Sequence, residues 1–144
     1  MRTRIHQNKE QIYCLCRKRW VRLTPEEWVR QQLLHQLVNQ LGYPASHIAV
    51  EVSLPIPAAQ EAKKKHRADI LIYDAHLQPL VLVECKAETV SITQKTLDQA
   101  LTYNRKLNVP FLILYNGPQT VFVHVPSQSA SSSIPHYSTL TTEN

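Results

Sequence analysis

The spacing of apolar and polar positions changes several times along the chain, and each change marks an element. Gln11-Ile12-Tyr13-Cys14-Leu15 and Trp20-Val21-Arg22-Leu23 flank a basic turn, which predicts a hairpin over 10–22. A helical period begins at Thr24. Trp28, Leu33, Leu34, Leu37, Val38 and Leu41 recur at helical spacing, and Gly42 ends the run. Thr24 suits the N-cap, Pro25 the first helical position, and Glu27 the acid of a capping box. Residues 47–54 read as a strand and 55–65 as a loop. Arg67–Tyr73 and Leu80–Lys86 read as two apolar strands joined by a turn. Thr93 to about Leu107 reads as a second helix, with Leu97, Ala100, Leu101 and Leu107 on its apolar stripe. Phe111–Tyr115 and Val121–Val125 read as strands joined by Asn116-Gly117-Pro118-Gln119. The order predicts an α/β fold, a mixed central β-sheet flanked by α-helices with an N-terminal hairpin. Leu80–Lys86, the second helix and Phe111–Tyr115 form a β-α-β crossover.

With 144 residues the chain has room for one domain. Its expected extent is 10–126, with a loose N-terminus over 1–9 and a Ser/Thr-rich disordered tail over 127–144. No apolar run reaches the length of a membrane span, and the basic N-terminus leads into no apolar stretch. Cys14, Cys16 and Cys85 lack zinc-site spacing and read as reduced thiols of a cytoplasmic protein. The net charge of +5 permits a polyanionic partner. Arg17, Lys18, Arg19 and Arg22 form one basic cluster, and Lys63, Lys64, Lys65, His66 and Arg67 form another. The plain reading of either is a solvated loop, weakened for the second by its position directly ahead of Asp69. Gly42 and Gly117 are the only glycines, so there is no glycine-rich phosphate loop. No Ser-His-Asp or Cys-His arrangement stands out, and His35, His47, His76 and His124 show no ligand spacing.

Candidate chemistry enters with the charges set in the two apolar strands. A charge in such a run needs a partner or a metal. Glu84 and Lys86 share one strand face while Cys85 takes the other, and Asp69 joins them if the strands lie side by side. Two carboxylates and a lysine at a sheet edge suit a hard divalent cation and a phosphate. Asp69 followed by Glu84-x-Lys86 has the order and spacing of the PD-(D/E)XK nuclease core. Gln99 and Tyr103, at i and i+4, share a helix face away from the Leu97/Leu101 stripe. Each feature also has a plain structural reading. The acids and lysine would be a salt-bridge cluster, Gln99 and Tyr103 a polar helix face, Glu27 a cap and Glu26 a first-turn dipole partner. Glu51 reads as exposed.

Taken together, the chain resembles the N-terminal nuclease domain of type I restriction enzyme R subunits, in the compact stand-alone form found in bacteria. The matching strings are Arg19-Trp20-Val21, Leu23-Thr24-Pro25-Glu26-Glu27-Trp28-Val29-Arg30, Gly42-Tyr43-Pro44, Arg67-Ala68-Asp69-Ile70-Leu71 and Val83-Glu84-Cys85-Lys86-Ala87. Asp98-Gln99, Tyr103-Asn104 and Tyr115-Asn116-Gly117 extend the likeness, which covers roughly Ile12 to Val125. It implies a restriction-endonuclease-like fold and hydrolysis of DNA phosphodiesters, with endonucleolytic cutting the expected mode. Asp69, Glu84 and the backbone carbonyl of Cys85 would hold Mg²⁺ (or Mn²⁺), with Glu27 in support. The metal would polarise the scissile phosphate and lower the pKa of a water. Lys86 would hold the nucleophile and offset developing charge. Gln99 and Tyr103 would position the site or touch the DNA backbone, beside a DNA-contacting run of Lys63, Lys64, Lys65 and Arg67. Expected partners are DNA and a homodimer mate or a helicase motor subunit, with no membrane. The alternative is a non-cleaving DNA-binding or assembly module that keeps the nuclease fold.

Overall fold

The computed structural model describes residues 1–53 and 67–141. Strands β1 (Thr3–His6), β2 (Lys9–Cys14) and β3 (Arg19–Arg22) form an antiparallel three-stranded sheet in that order. Helix α1 (Pro25–Asn39) follows, then a short 3₁₀ turn at Ala45–His47. A second sheet runs in the order β4 (Ile48–Ser53), β5 (Arg67–Tyr73), β6 (Pro79–Cys85), β7 (Phe111–Tyr115), β8 (Thr120–His124) and β9 (Ser129–Ser131). Helix α2 (Gln94–Leu107) links β6 to β7, and α3 (Tyr137–Thr141) closes the described chain. Among the described strands only β6 and β7 pair in parallel, with Val81 opposite Phe111 and Cys85 opposite Tyr115. That pairing needs a crossover connection, and α2 supplies it. The fold is therefore α/β, with a mixed six-stranded sheet, a separate three-stranded sheet and flanking helices.

Two apolar layers cover the large sheet. Ile70, Ile72, Val81, Val83, Cys85 and Ile113 pack with Leu33, Leu34 and Leu37 of α1. Leu71, Leu82, Leu112 and Leu114 pack with Ala100, Leu97 and Leu101 of α2. The alternation of Val81, Leu82 and Val83 between the two layers is the period-2 pattern of a central strand buried on both faces. Alternation breaks once in β4. Val50 packs in the first layer and Val52 against the second, and the intervening Glu51 sits at φ +56°. A left-handed residue there turns the strand over, next to the strand that carries Asp69.

Thr24 caps α1, its hydroxyl accepting from the Glu27 N–H at 3.0 Å. The return bond of a capping box is not what the Glu27 carboxylate does, because arginines take it. Gly42, at φ +74°, turns the chain after α1, and a β-carbon there would collide with the His136 ring.

The chain ends depart from expectation. Residues 1–9 are exposed but not loose, since β1 pairs along its length with β2. The stretch from 127 is not a disordered tail through Thr141: β9 extends the large sheet, and Ile134 and Leu140 are buried. The Tyr137 hydroxyl donates to the Tyr73 carbonyl at 2.9 Å, and the Tyr43 hydroxyl donates to the Pro135 carbonyl at 2.9 Å. Low average hydrophobicity concealed a few apolar residues spaced to plug the first layer.

Candidate active site

The candidate site lies where β5 and β6 part. Their ladder shifts register between Tyr73 and Ile72 and then runs in register from Ile72 opposite Val81 to Ile70 opposite Val83. One residue beyond, Asp69 takes over with its side chain. Its Oδ2 accepts from the Cys85 backbone N–H at 2.8 Å, standing in for a strand carbonyl. Its Oδ1 accepts from Arg30 Nη2 at 2.9 Å. Asp69 is thus aimed from two sides, and each oxygen keeps a lone pair for something further.

Glu84 comes to the same place from β6. Burial pushes its carboxyl up to about 8, and the neighbouring Asp69 charge and a hydrogen bond with Asp69 add to the rise. Lys86, on the same strand face, pulls it partly back, while Glu26 raises it further. Cys85 points the other way into the first layer, as alternation predicts, and its thiol is held far above the ordinary range by burial.

Glu26 is the helix acid that shares this field. Burial raises its carboxyl and Asp69 raises it further, while Arg30 and Lys86 oppose the rise. Its neighbour Glu27 occupies a different environment. Both Glu27 oxygens accept from Arg17 Nη2 at 2.9 Å, and Arg30 Nη1 and Gln31 Nε2 donate to one oxygen each, at 2.8 and 2.9 Å. Four donor contacts fill a carboxylate that was expected to support a metal, so the structure places Glu27 as the hub of an ion-pair network. Glu51, exposed as expected, accepts from Arg17 Nη1 at 2.8 Å and lies 3.8 Å from Arg30 Nη1. A sequence signal for Arg30 existed. Glu27, Arg30, Leu34 and Leu37 fall on one helical stripe, so the charged pair faces the core.

Gln99 and Tyr103 form a pair of their own on α2, Gln99 Nε2 donating to the Tyr103 hydroxyl at 2.9 Å. Gln99 is exposed, and the Tyr103 ring packs against the second apolar layer. Arg67 begins β5, exposed and opposite Ser53. Lys63, Lys64 and Lys65 lie outside the described residues.

Residues 25–136 match a family model described as type I restriction enzyme R protein N terminus. The chain belongs to that family. Among solved structures, one described as a fragment of an HsdR subunit of a type I restriction enzyme from Vibrio vulnificus YJ016 superposes with a TM-score of 0.56 at 18% identity. The superposition covers 78% of this chain and 24% of that chain, so the present R-protein N-terminal chain corresponds to about a quarter of the longer one. At that identity the likeness is one of fold. Among curated proteins no match is found. No helix among the described residues is long and apolar enough to cross a membrane.

The donor chemistry of the site fits a hard divalent cation. Among the described residues no three His, Cys, Asp or Glu side chains are gathered as a ready-made metal cage. Two carboxylates suffice for Mg²⁺, which keeps several of its waters. The raised Glu84 carboxyl is the telling observation: burial beside Asp69 disfavours its charged form, and a cation bound there would restore it.

Proposed function

We propose that this R-protein N-terminal domain is a metal-dependent nuclease of restriction-endonuclease-like PD-(D/E)XK fold that hydrolyses DNA phosphodiesters within the strand. The observation that carries the reading is the meeting of Asp69 and Glu84 at the parting of β5 and β6, with Lys86 two residues along the same strand face. Asp69 and Glu84 would hold Mg²⁺ or Mn²⁺, with the Cys85 carbonyl beside them. When bound, the ion polarises the scissile phosphate and lowers the pKa of a water. Arg30 and the Cys85 N–H hold Asp69 in its orientation. Lys86 orients the attacking water and balances charge gathering on the phosphate. Glu26 adds a third carboxylate at the edge of the field. Gln99 and Tyr103, already bonded to each other, present a polar face of α2 for the DNA backbone. DNA is the substrate partner, and a second copy of the chain or a helicase motor subunit is the protein partner. The three unpaired cysteines accord with a reducing, cytoplasmic setting.

The Glu27 network favours a second reading, a DNA-binding or assembly module that does not cut. Arg17, Arg30, Glu27, Glu51 and Asp69 form a connected set of ion pairs that stands without any ion. A cleavage assay on supercoiled and linear DNA with Mg²⁺, Mn²⁺ or EDTA, run beside Lys86→Ala, separates the two. Metal-dependent cutting that vanishes in Lys86→Ala supports the nuclease. DNA binding without cutting under any condition supports the module.

A further inference from the structure

The net positive charge of the chain resides ahead of the family-matched span. Residues 1–24 carry seven Lys and Arg (Arg2, Arg4, Lys9, Arg17, Lys18, Arg19, Arg22) against the single acid Glu10, which is +6. The whole chain is +5, so residues 25–144 are −1. This surplus sits on the three-stranded sheet.

Strand register sorts that sheet into two faces. Ile12, Cys14 and Val21 point inward, Ile12 and Cys14 fully buried and Val21 packed against the core. The outer face then carries Arg2, Arg4, Gln11, Tyr13, Trp20 and Arg22, since Arg4 pairs with Gln11, Gln11 with Arg22, and Tyr13 with Trp20. The Tyr13 N–H donates to the Arg2 carbonyl at 2.8 Å, which holds Arg2 in the same register. The arginines lie on the aromatic rings. Arg4 Cζ is 4.3 Å from the centre of the Trp20 ring, and Arg2 Cζ is 4.7 Å from that of Tyr13. Tyr13 and Trp20 meet edge to face at 5.6 Å. Gln11 Oε1 accepts from Arg4 Nε at 2.7 Å. A guanidinium held flat on a ring loses less freedom when it binds phosphate than a free one does.

The face borders a polar cleft of about 510 Å³, whose lining includes Gln11, Trp20 and Arg22 of the sheet together with Glu26, Glu27, Arg30 and Glu51. Arg30 donates to Asp69 and has a buried Nε with no hydrogen-bond partner among the described residues. Arg19 and Arg22, on the edge strand β3, are in no ion pair among the described residues.

We infer that the outer face of this sheet is the docking surface for the phosphodiester backbone of DNA, with Arg2, Arg4 and Arg22 as its phosphate contacts and Tyr13 and Trp20 as the platform that holds them. The inference rests on the DNA-substrate reading above, and it names a surface distinct from the 63–67 run and from α2. Contacts of this kind are independent of base sequence and strongly dependent on salt.

The test is fluorescence anisotropy of labelled duplex and single-stranded oligonucleotides in EDTA, over a salt series, so that no cleavage enters. The variant Arg2→Gln/Arg4→Gln/Arg22→Gln is compared with a charge-matched control, Arg105→Gln/Gln128→Glu/Ser132→Glu, whose exposed positions lie off the Gln99/Tyr103 face of α2 and off the three-stranded sheet. The platform variant is expected to bind about tenfold more weakly or worse, with its log–log salt slope shallower by about 2–3, at ~0.9 per lost duplex phosphate contact. The control is expected to stay within about twofold of the native chain. Trp20→Ala, checked for fold by circular dichroism, should weaken binding several-fold, and Trp20→Phe should restore most of it. A stronger loss on single strands would mark direct base stacking on the rings. Equal losses in both triple variants, or none in the platform variant, would overturn the inference. Platform-dependent binding without metal-dependent cutting would sink the nuclease reading and leave this one standing. Cutting with platform-independent binding would do the reverse.

Discussion

Glu27 and Glu84 are the same residue type in two neighbouring regions, and their surroundings are opposite. Glu27, on α1, is buried among cations: Arg17 and Arg30 reach both its oxygens, with Gln31 beside them. Glu84, at the end of β6, is sunk against another acid, with Asp69 and Glu26 raising its carboxyl and Lys86 only partly offsetting them. The first region is electrically complete as it stands. In the second, Arg30 pairs with Asp69 while the charged form of Glu84 stays disfavoured. Burial of an acid therefore does not by itself mark a site; the sign of what it is buried against decides.

Breaking each region should have a different consequence. The largest effect is expected on catalysis: Lys86→Ala should lose about 10²–10³-fold in cleavage rate while its melting temperature stays near native, because on the proposed mechanism the half-buried lysine acts only on charge formed during the reaction. Steady-state rates on supercoiled DNA with Mg²⁺ measure it. Glu27→Ala should instead act on stability. It strands Arg17 and Arg30 without their shared counter-charge, and urea unfolding should show a loss of about 3 kcal/mol.

A pH series sharpens the contrast. The Glu84 carboxyl titrates at about 8 in the folded chain and near ~4.3 when unfolded. Between those values the folded state keeps a proton that the unfolded state has lost. The contribution is therefore full below about 4.3 and is lost as pH rises through about 8. In EDTA, urea-unfolding stability should fall with pH across this window, and Glu84→Gln should flatten the fall and leave the variant the more stable of the two above about pH 8. An identical slope in both would contradict the environment described for Glu84. The smallest effect is expected at Gln99. Its side chain is exposed and, among the described residues, bonds to the Tyr103 hydroxyl, so Gln99→Ala should change stability by less than about 0.5 kcal/mol. It should lower turnover or DNA affinity; a large loss of melting temperature with normal activity would make the pair a packing feature.

Much of this was legible in the residue pattern because regular elements announce themselves by period. The apolar runs of β5 and β6, the Thr24-Pro25 start of α1 and the crossover through α2 all follow from spacing alone. So did the grouping of Asp69, Glu84 and Lys86 on adjacent strands. What spacing could not supply was which of two adjacent acids faces the site. Glu26 and Glu27 differ by one helical step of about 100°, and only the position of Arg17 on a distant turn shows that Glu27 is already satisfied. The left-handed Glu51 and the folded stretch past 127 were hidden for a related reason. Both depend on tertiary partners, Asp69's strand in one case and Tyr43 with Tyr73 in the other, that no local window contains.

On the proposed mechanism the Asp69–Glu84 pair, and not the Glu27 cluster, takes the cation. Calorimetric titration of the native chain with Mg²⁺ or Mn²⁺ near pH 7, repeated in buffers of different ionisation enthalpy, tests it by counting protons released. The account predicts binding with release of close to one proton, abolished in Glu84→Gln and kept in Glu27→Gln. Binding that survives Glu84→Gln unchanged, or that is lost in Glu27→Gln while that variant remains folded, would contradict it.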